Sequence, residues 1–142
     1  MKNKTVATWL ALVGGPLGLH RFYLHGMRDT LGWVLPIPSA LGIYGVWRVQ
    51  RFGVDDALSW LLLPIFGFTL AACALTAIVY GLTTTQTWNG RFNPGEGPEA
   101  KAGDTNWSTV GAVVLSLLFG ATVLISAIAF SIQRYFEYQI LK

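Results

Sequence analysis

Two histidines and an arginine stand close together near the start of the chain, and they are the first candidates for chemistry. His20, Arg21 and His25 lie in the stretch GPLGLHRFYLHG, directly after an apolar run. Histidine can serve as a general base or as a metal ligand near neutral pH. His20 and His25 are five residues apart, however, which puts them on different sides of a helix. Asp29 is the one carboxylate nearby, so we predict neither a metal site nor a catalytic pair here.

The rest of the chain supplies no catalytic pattern either. Cys73 is the single cysteine, so no disulfide within the chain and no thiolate metal cluster can form. A Gly-rich phosphate loop, a His-Glu-x-x-His pair and a Gly-x-Ser-x-Gly elbow are all absent. We therefore predict that the protein is not an enzyme, with no catalytic residue, metal or cofactor.

The composition is that of a membrane protein. Of the 142 residues, 53% are hydrophobic and 12% are charged, whereas soluble domains carry about 25% charged residues. The net charge of +3 is spread in small groups between apolar runs. Nucleic-acid binding needs a clustered basic face, so we interpret the basic residues as signals for membrane orientation and predict no nucleic-acid partner.

Four apolar runs predict an all-α integral membrane protein with four transmembrane helices. Spanning a bilayer core of about 30 Å takes about 20 helical residues, and the apolar cores at 57–80 and 110–130 meet that length. The runs at 5–20 and 30–47 are shorter and contain glycine and proline. We expect them to form a short hairpin whose flanking arginines reach the interface. The first run is interpreted as an uncleaved span rather than a signal peptide.

The positive-inside rule predicts the orientation. With four spans, one side carries Lys2, Lys4, Arg48, Arg51, Arg134 and Lys142, and the other carries Arg21, Arg28, Arg91 and Lys101. This predicts a protein of the cell (inner) membrane with both termini in the cytoplasm. Arg48 and Arg51 are expected to contact anionic lipid on the inner face.

Other segments have simpler interpretations. Residues 82–107 are rich in Gly and Pro and predict an exposed, flexible loop. The aromatic C-terminal stretch predicts an extension of the last helix that bends into the interface. Small residues at four-residue spacing predict helix contacts within the monomer. Tryptophans near the ends of the runs are interpreted as interface anchors: Trp33, Trp47, Trp60, Trp88 and Trp107.

His20 and Arg21 thus stand at a hairpin corner. Burying Arg21 at the bilayer centre would cost roughly 2.5 to 3.5 kcal/mol, so we expect it at the interface, within reach of lipid phosphate. Asp29 or Thr30 is suited to cap the following helix. Phe22 and Tyr23 can pack against the returning helix, and His20 is expected to hydrogen-bond the backbone near Gly18.

The same stretch resembles the TM-two domain family, whose bacterial members are called NINE proteins. The resemblance rests on the stretch GGPLGLHRFYL and on GIYGVW in the second run, and it covers roughly the first 50 residues. His25 stands where the family usually has glycine, and Arg48 follows Trp47 where an acidic residue is usual. The resemblance implies a membrane hairpin whose motif residues are Gly14, Gly15, Gly18, His20, Arg21, Phe22, Tyr23 and Leu24.

We divide the chain into a TM-two-like hairpin at 1–54 and a second membrane helix pair at 55–142. The expected function is that of a structural or interaction component of the membrane, whose partners are lipids and either further copies of itself or another membrane protein. The alternative is an oligomeric channel or transporter for a small solute or ion, because Pro36, Pro38 and Pro64 could break helices as some transporters do.

Overall fold

The computed structural model describes the whole chain, Met1–Lys142, and contains helices but no strands. The all-helical class predicted from the sequence is confirmed. Two 3-10 turns, Gly15–Leu17 and Lys101–Gly103, join some of the helices. The seven α-helices are α1 (Lys4–Gly14), α2 (Leu19–His25), α3 (Thr30–Val34), α4 (Pro36–Phe52), α5 (Ala57–Leu82), α6 (Thr85–Phe92) and α7 (Trp107–Ile140).

Three segments are long and apolar enough to cross a membrane. They are Thr30–Phe52, which combines α3 and α4, then Ala57–Leu82, and Lys101–Ile140, which contains α7. Each exceeds the roughly 20 helical residues that a bilayer core requires. The structure therefore supports a membrane protein, whereas the fourth predicted span, at residues 5–20, is not confirmed.

The first apolar run folds back on itself. Helix α1 has 11 residues and is thus only about 16 Å long. After the 3-10 turn, α2 returns toward the N-terminus, where the Lys2 ammonium donates to the Tyr23 carbonyl at 2.6 Å. The Asn3 amide donates to the Tyr23 hydroxyl at 2.8 Å. We call α1, the turn and α2 the N-terminal hairpin.

A tightly packed turn forms the tip of the N-terminal hairpin. Gly18 has φ 74° and ψ 13°, in the left-handed region, which glycine adopts at little cost. Gly15 lies against Cys73, near the middle of α5. The Ser39 hydroxyl of α4 donates to the Pro16 carbonyl at 2.7 Å. The tip is therefore held from two sides by longer helices.

Helix α5 is the centre of the bundle and packs against α7, α4 and α1. Small residues permit close approach of the helices, as predicted for membrane helix contacts. Gly67 of α5 lies against Ala127 of α7, and Gly120 of α7 lies against Ala74 of α5. Such contacts explain why most of the fully buried residues are alanine, serine or threonine rather than large side chains.

Residues 82–107 contain helix α6 and pack in part against the N-terminus, although most of them are exposed as predicted. Trp88 of α6 is fully buried, and its indole N–H donates to the Lys2 carbonyl at 2.8 Å. The Asn93 side chain accepts from the Lys2 amide and donates to the Lys2 carbonyl. Trp88 is thus a core residue and not the interface anchor that its position in the sequence indicated.

The two ends of the bundle are defined by these contacts. Lys4 is fully buried, and its ammonium donates to the carbonyl of Thr83, just after α5, at 2.8 Å. The N-terminus, the end of α5 and the start of α7 therefore share one end, which we call the N-terminal end. Helix α7 runs unbroken to Ile140, so the C-terminal stretch extends the last helix as predicted, and it finishes at the opposite end.

Replacing Gly18 tests whether the hairpin tip holds the fold together. In Gly18→Ala the new Cβ would overlap the Gly32 carbonyl oxygen, on backbone that alanine rarely adopts. We expect destabilisation of roughly 2 kcal/mol or more, measured as a lower melting temperature in detergent. Gly97→Ala is the control, because no atom lies within 4 Å of the added Cβ. Equal melting temperatures for the two variants would contradict this account of the tip.

Candidate functional site: two matched helix corners

The predicted motif residues surround a charged corner between α2 and α3. The Arg21 guanidinium donates to Asp29 through Nε at 2.8 Å and through Nη2 at 2.9 Å. The Asp29 carboxylate also caps α3 by accepting from the Gly32 amide at 2.8 Å. These side chains are 22% and 13% exposed. Arg21 is therefore paired with Asp29.

The aromatic residues of the motif pack around this pair. The Phe22 ring lies against Gly32 and 5.1 Å from the Trp33 ring, edge to face. Tyr23 receives the N-terminal segment through its hydroxyl and its carbonyl, and Leu24 is buried. Phe22 therefore packs against the returning helix as predicted, whereas Tyr23 binds the N-terminus.

His20 is buried and faces the Tyr80 ring, with 6.0 Å between the ring centroids. Its Nδ1 has no hydrogen-bond partner, so the expected bond to the backbone near Gly18 is not seen. Burial, with a smaller effect from Arg21, lowers the pKa of His20 to about 4. His20 is therefore neutral at physiological pH, and His25 instead packs against Phe92, 6.0 Å away.

A second corner, between α4 and α5, repeats the first. Arg48 donates to Asp56 through Nε at 2.8 Å and through Nη2 at 2.7 Å. Asp56 caps α5 by accepting from the Ser59 amide at 3.1 Å. The sequence left open whether this inner loop pairs its charges. Arg48 is paired, while Arg51 makes no ion pair and lies over the Trp47 ring at 5.5 Å.

The two corners also share their backbone and their tryptophan. Gly26 has φ 82° and ψ 177°, and Gly53 has φ 86° and ψ 176°. The Trp33 indole donates to the Met27 carbonyl at 2.8 Å, and the Trp60 indole donates to the Val54 carbonyl at 2.9 Å. One local fold therefore occurs twice, at the start of two successive membrane-length segments.

The sequence contains the signal for this repeat, although neither motifs nor hydropathy revealed it. The pattern is Gly-x2-Gly-x2-Arg-x4-Gly-x2-Asp-x3-Trp, with each residue of the second copy 27 positions after its counterpart. Comparing the chain with itself would have revealed it. The first copy is Gly15, Gly18, Arg21, Gly26, Asp29 and Trp33, and the second is Gly42, Gly45, Arg48, Gly53, Asp56 and Trp60.

Both corners use their charged side chains for contacts within the fold. No group of three or more His, Cys, Asp or Glu side chains is placed to hold a metal ion. The carboxylates of Asp29 and Asp56 are occupied by arginine and by helix capping. Away from the corners, a cavity of about 330 Å³ lies between α5 and α7, and most of the side chains that line it are apolar. What the corners do chemically is neutralise an arginine and begin a helix.

These features define an all-helical protein with three membrane-length segments and an N-terminal hairpin. No protein-family model, no curated protein and no solved structure matches the chain. The resemblance to the TM-two domain family therefore stays an expectation that rests on the motif residues themselves.

The corners predict how stability depends on acid. Hydrogen bonds from arginine hold the pKa of Asp29 and the pKa of Asp56 below the usual range. A carboxylate with a depressed pKa stabilises the fold fully above its unfolded value, and this contribution is lost as the pH falls toward the folded value. We expect the melting temperature of the wild type to fall below about pH 4.

The control is a double variant, Asp29→Asn with Asp56→Asn. It should melt at a lower temperature than the wild type at about pH 7 and lose less stability on acidification below about pH 4, because neither carboxylate is left to protonate. A double variant with the pH profile of the wild type would show that other groups cause the acid sensitivity.

Proposed function

We propose that this is a small multi-pass membrane protein of the TM-two type that acts as a structural or interaction component without catalytic activity. The observation that supports it is the use of the motif for architecture. Arg21 binds Asp29, His20 is buried and neutral, and Tyr23 binds the N-terminal segment. An enzyme needs a positioned nucleophile or acid–base pair, and the motif leaves none free.

A channel or transporter is the second candidate, and one observation favours it. The N-terminal hairpin consists of two short helices whose tip lies beside Cys73, near the middle of α5. Broken helices at such depth form the binding sites of many transporters. Here, however, Ser39 donates to the Pro16 carbonyl and covers one of the tip's polar groups. On this candidate we place the conducting path between several copies of the chain.

The supporting evidence for membrane location is the apolar surface of the three long segments. Large side chains that are exposed on them include Ile43, Leu75, Leu118 and Ile125. Burying apolar surface in lipid is favourable, and we propose the inner membrane of a bacterium as the location. Lipid headgroups are the expected partners of Arg51, which has no ion pair within the chain and projects near exposed Trp47.

The contacts favour an orientation that differs from the one predicted from the sequence. Because three segments are long enough to cross and the N-terminal hairpin returns, the two termini lie at opposite ends of the bundle. The N-terminal end carries Lys2, Lys4, Arg21, Arg28, Arg91 and Lys101, and the other end carries Arg48, Arg51, Arg134 and Lys142. The positive-inside rule therefore supports a cytoplasmic N-terminal end and an external C-terminus.

Native mass spectrometry of the chain in lipid nanodiscs tests the proposed function. For an interaction protein we expect one or two copies of the 15.5 kDa chain without a retained small solute. A closed ring of several copies would overturn this expectation in favour of a channel, since a pore could then form between chains.

Cysteine labelling tests the orientation. Gly97→Cys and Lys142→Cys place a thiol in exposed positions at the two ends of the chain's membrane region, while Cys73 is buried. With a membrane-impermeant maleimide on intact cells, we expect labelling of Lys142→Cys only. Permeabilised cells, in which both should react, are the control. Labelling of Gly97→Cys only would instead support four spans with both termini inside, because the connection that contains Gly97 is then external.

A further inference from the structure

The internal repeat allows the surroundings of its two copies to be compared. In the second copy, one face of α5 is covered by α7. The Arg134 guanidinium lies 5.2 Å from the Trp60 ring, Gly67 lies against Ala127, and Ala74 lies against Gly120. Trp60, Gly67 and Ala74 are seven residues apart, so they line one side of the helix.

The equivalent face of the first copy is uncovered. Counting back 27 positions from Trp60, Gly67 and Ala74 gives Trp33, Ala40 and Trp47. Trp33 is 58% exposed, Trp47 is 47% exposed, and Ala40 is exposed. We call these three residues the Trp33 face. The rest of the chain packs on the opposite side of α4, where Gly42 and Gly45 contact α5.

The charge beside each face indicates what could cover it. At the second corner, the Asp55 carboxylate, whose side chain is 93% exposed, lies 3.7 Å from the Arg134 guanidinium of α7. Arg134 also pairs with Glu137 at 2.7 Å. The equivalent residue at the first corner is Arg28, which is exposed and takes part in none of the chain's salt bridges. An occupant that pairs with Arg28 in the way Arg134 pairs with Asp55 must carry a carboxylate at its end.

A second copy of the chain fits this requirement poorly. Two Trp33 faces related by a twofold axis along the membrane normal would bring both Arg28 side chains to the same end of the interface. Like charges at an interface are unfavourable. The charge of Arg28 therefore favours a different, acidic partner over self-association through this face.

We propose that the Trp33 face is the docking site for a transmembrane helix of another membrane protein. This helix runs antiparallel to α3 and α4, as α7 does to α5. It carries a small residue opposite Ala40 and an Asp or Glu near the C-terminal end that meets Arg28. The inference rests on the proposed function as an interaction component and names the surface that performs it.

A charge-swapped copy of α7 serves as the probe. The peptide comprises residues 105–142 with Arg134→Glu and Ala127→Cys, and it is reconstituted with the full chain in neutral phosphatidylcholine nanodiscs. The chain carries Cys73→Ala and Ala40→Cys, because Ala40 corresponds to Gly67, the neighbour of Ala127. Disulfide formation between chain and peptide is measured on denaturing gels.

We expect the Ala40→Cys chain to cross-link about fivefold more with the Arg134→Glu peptide than with a peptide that keeps Arg134. A difference of this size is what one exposed ion pair can produce. Arg28→Glu in the chain should reverse this preference. Leu41→Cys is the matched control, since Leu41 is exposed at nearly the same depth but points about 100° away around the helix. Ile43→Cys provides a second position on the docking side.

Several results would overturn the proposal. One is an equal cross-link yield at Ala40→Cys and Leu41→Cys, and another is a yield that does not change with the charges at positions 28 and 134. The third is no cross-link at Ala40→Cys and Ile43→Cys in chains that keep the wild-type melting temperature. Disulfides between two chains that exceed those between chain and peptide would assign the face to self-association. Such failures concern this face alone, whereas a closed ring in the nanodisc mass measurement would refute the proposed function itself.

Discussion

The ion pair between arginine and a helix-capping aspartate is the interaction on which the rest of this structure depends. In each corner one carboxylate neutralises the arginine of the preceding helix and accepts a backbone amide of the next helix. Leaving either charge unpaired near a bilayer would be costly. The pair therefore fixes the position and the direction of the following membrane segment in one step.

Given these corners, glycine and other small residues determine how closely the segments approach. The left-handed Gly18 turns the first run back on itself, and its contact with Gly32 leaves no room for a side chain. Gly67 and Gly120 bring α5 and α7 together. Because lipid is as apolar as a leucine side chain, close contact rather than removal from water holds such helices together.

The sequence was sufficient for the long apolar helices and for the Asp29 cap, because length, hydropathy and capping residues are local properties. It was insufficient for the first run, whose 16 uncharged residues resemble a short span until the contact between Gly18 and Gly32 is known. The composition of residues 82–107, which is rich in turn-forming residues, also did not indicate that Trp88 lies in a buried core. The pairing of Arg21 with Asp29 was not predicted, because Asp29 was considered only as a cap for the next helix.

The repeat explains why the two ends of the protein differ in character. Each unit contributes one membrane-length segment, so successive units point in opposite directions, as in inverted repeats of transporters. The second corner is completed by Arg134 of α7, which lies over Trp60. The first corner is instead completed by the N-terminal segment, which binds Tyr23. The same local fold is therefore present at both ends of the bundle. The two ends differ because different segments pack around it.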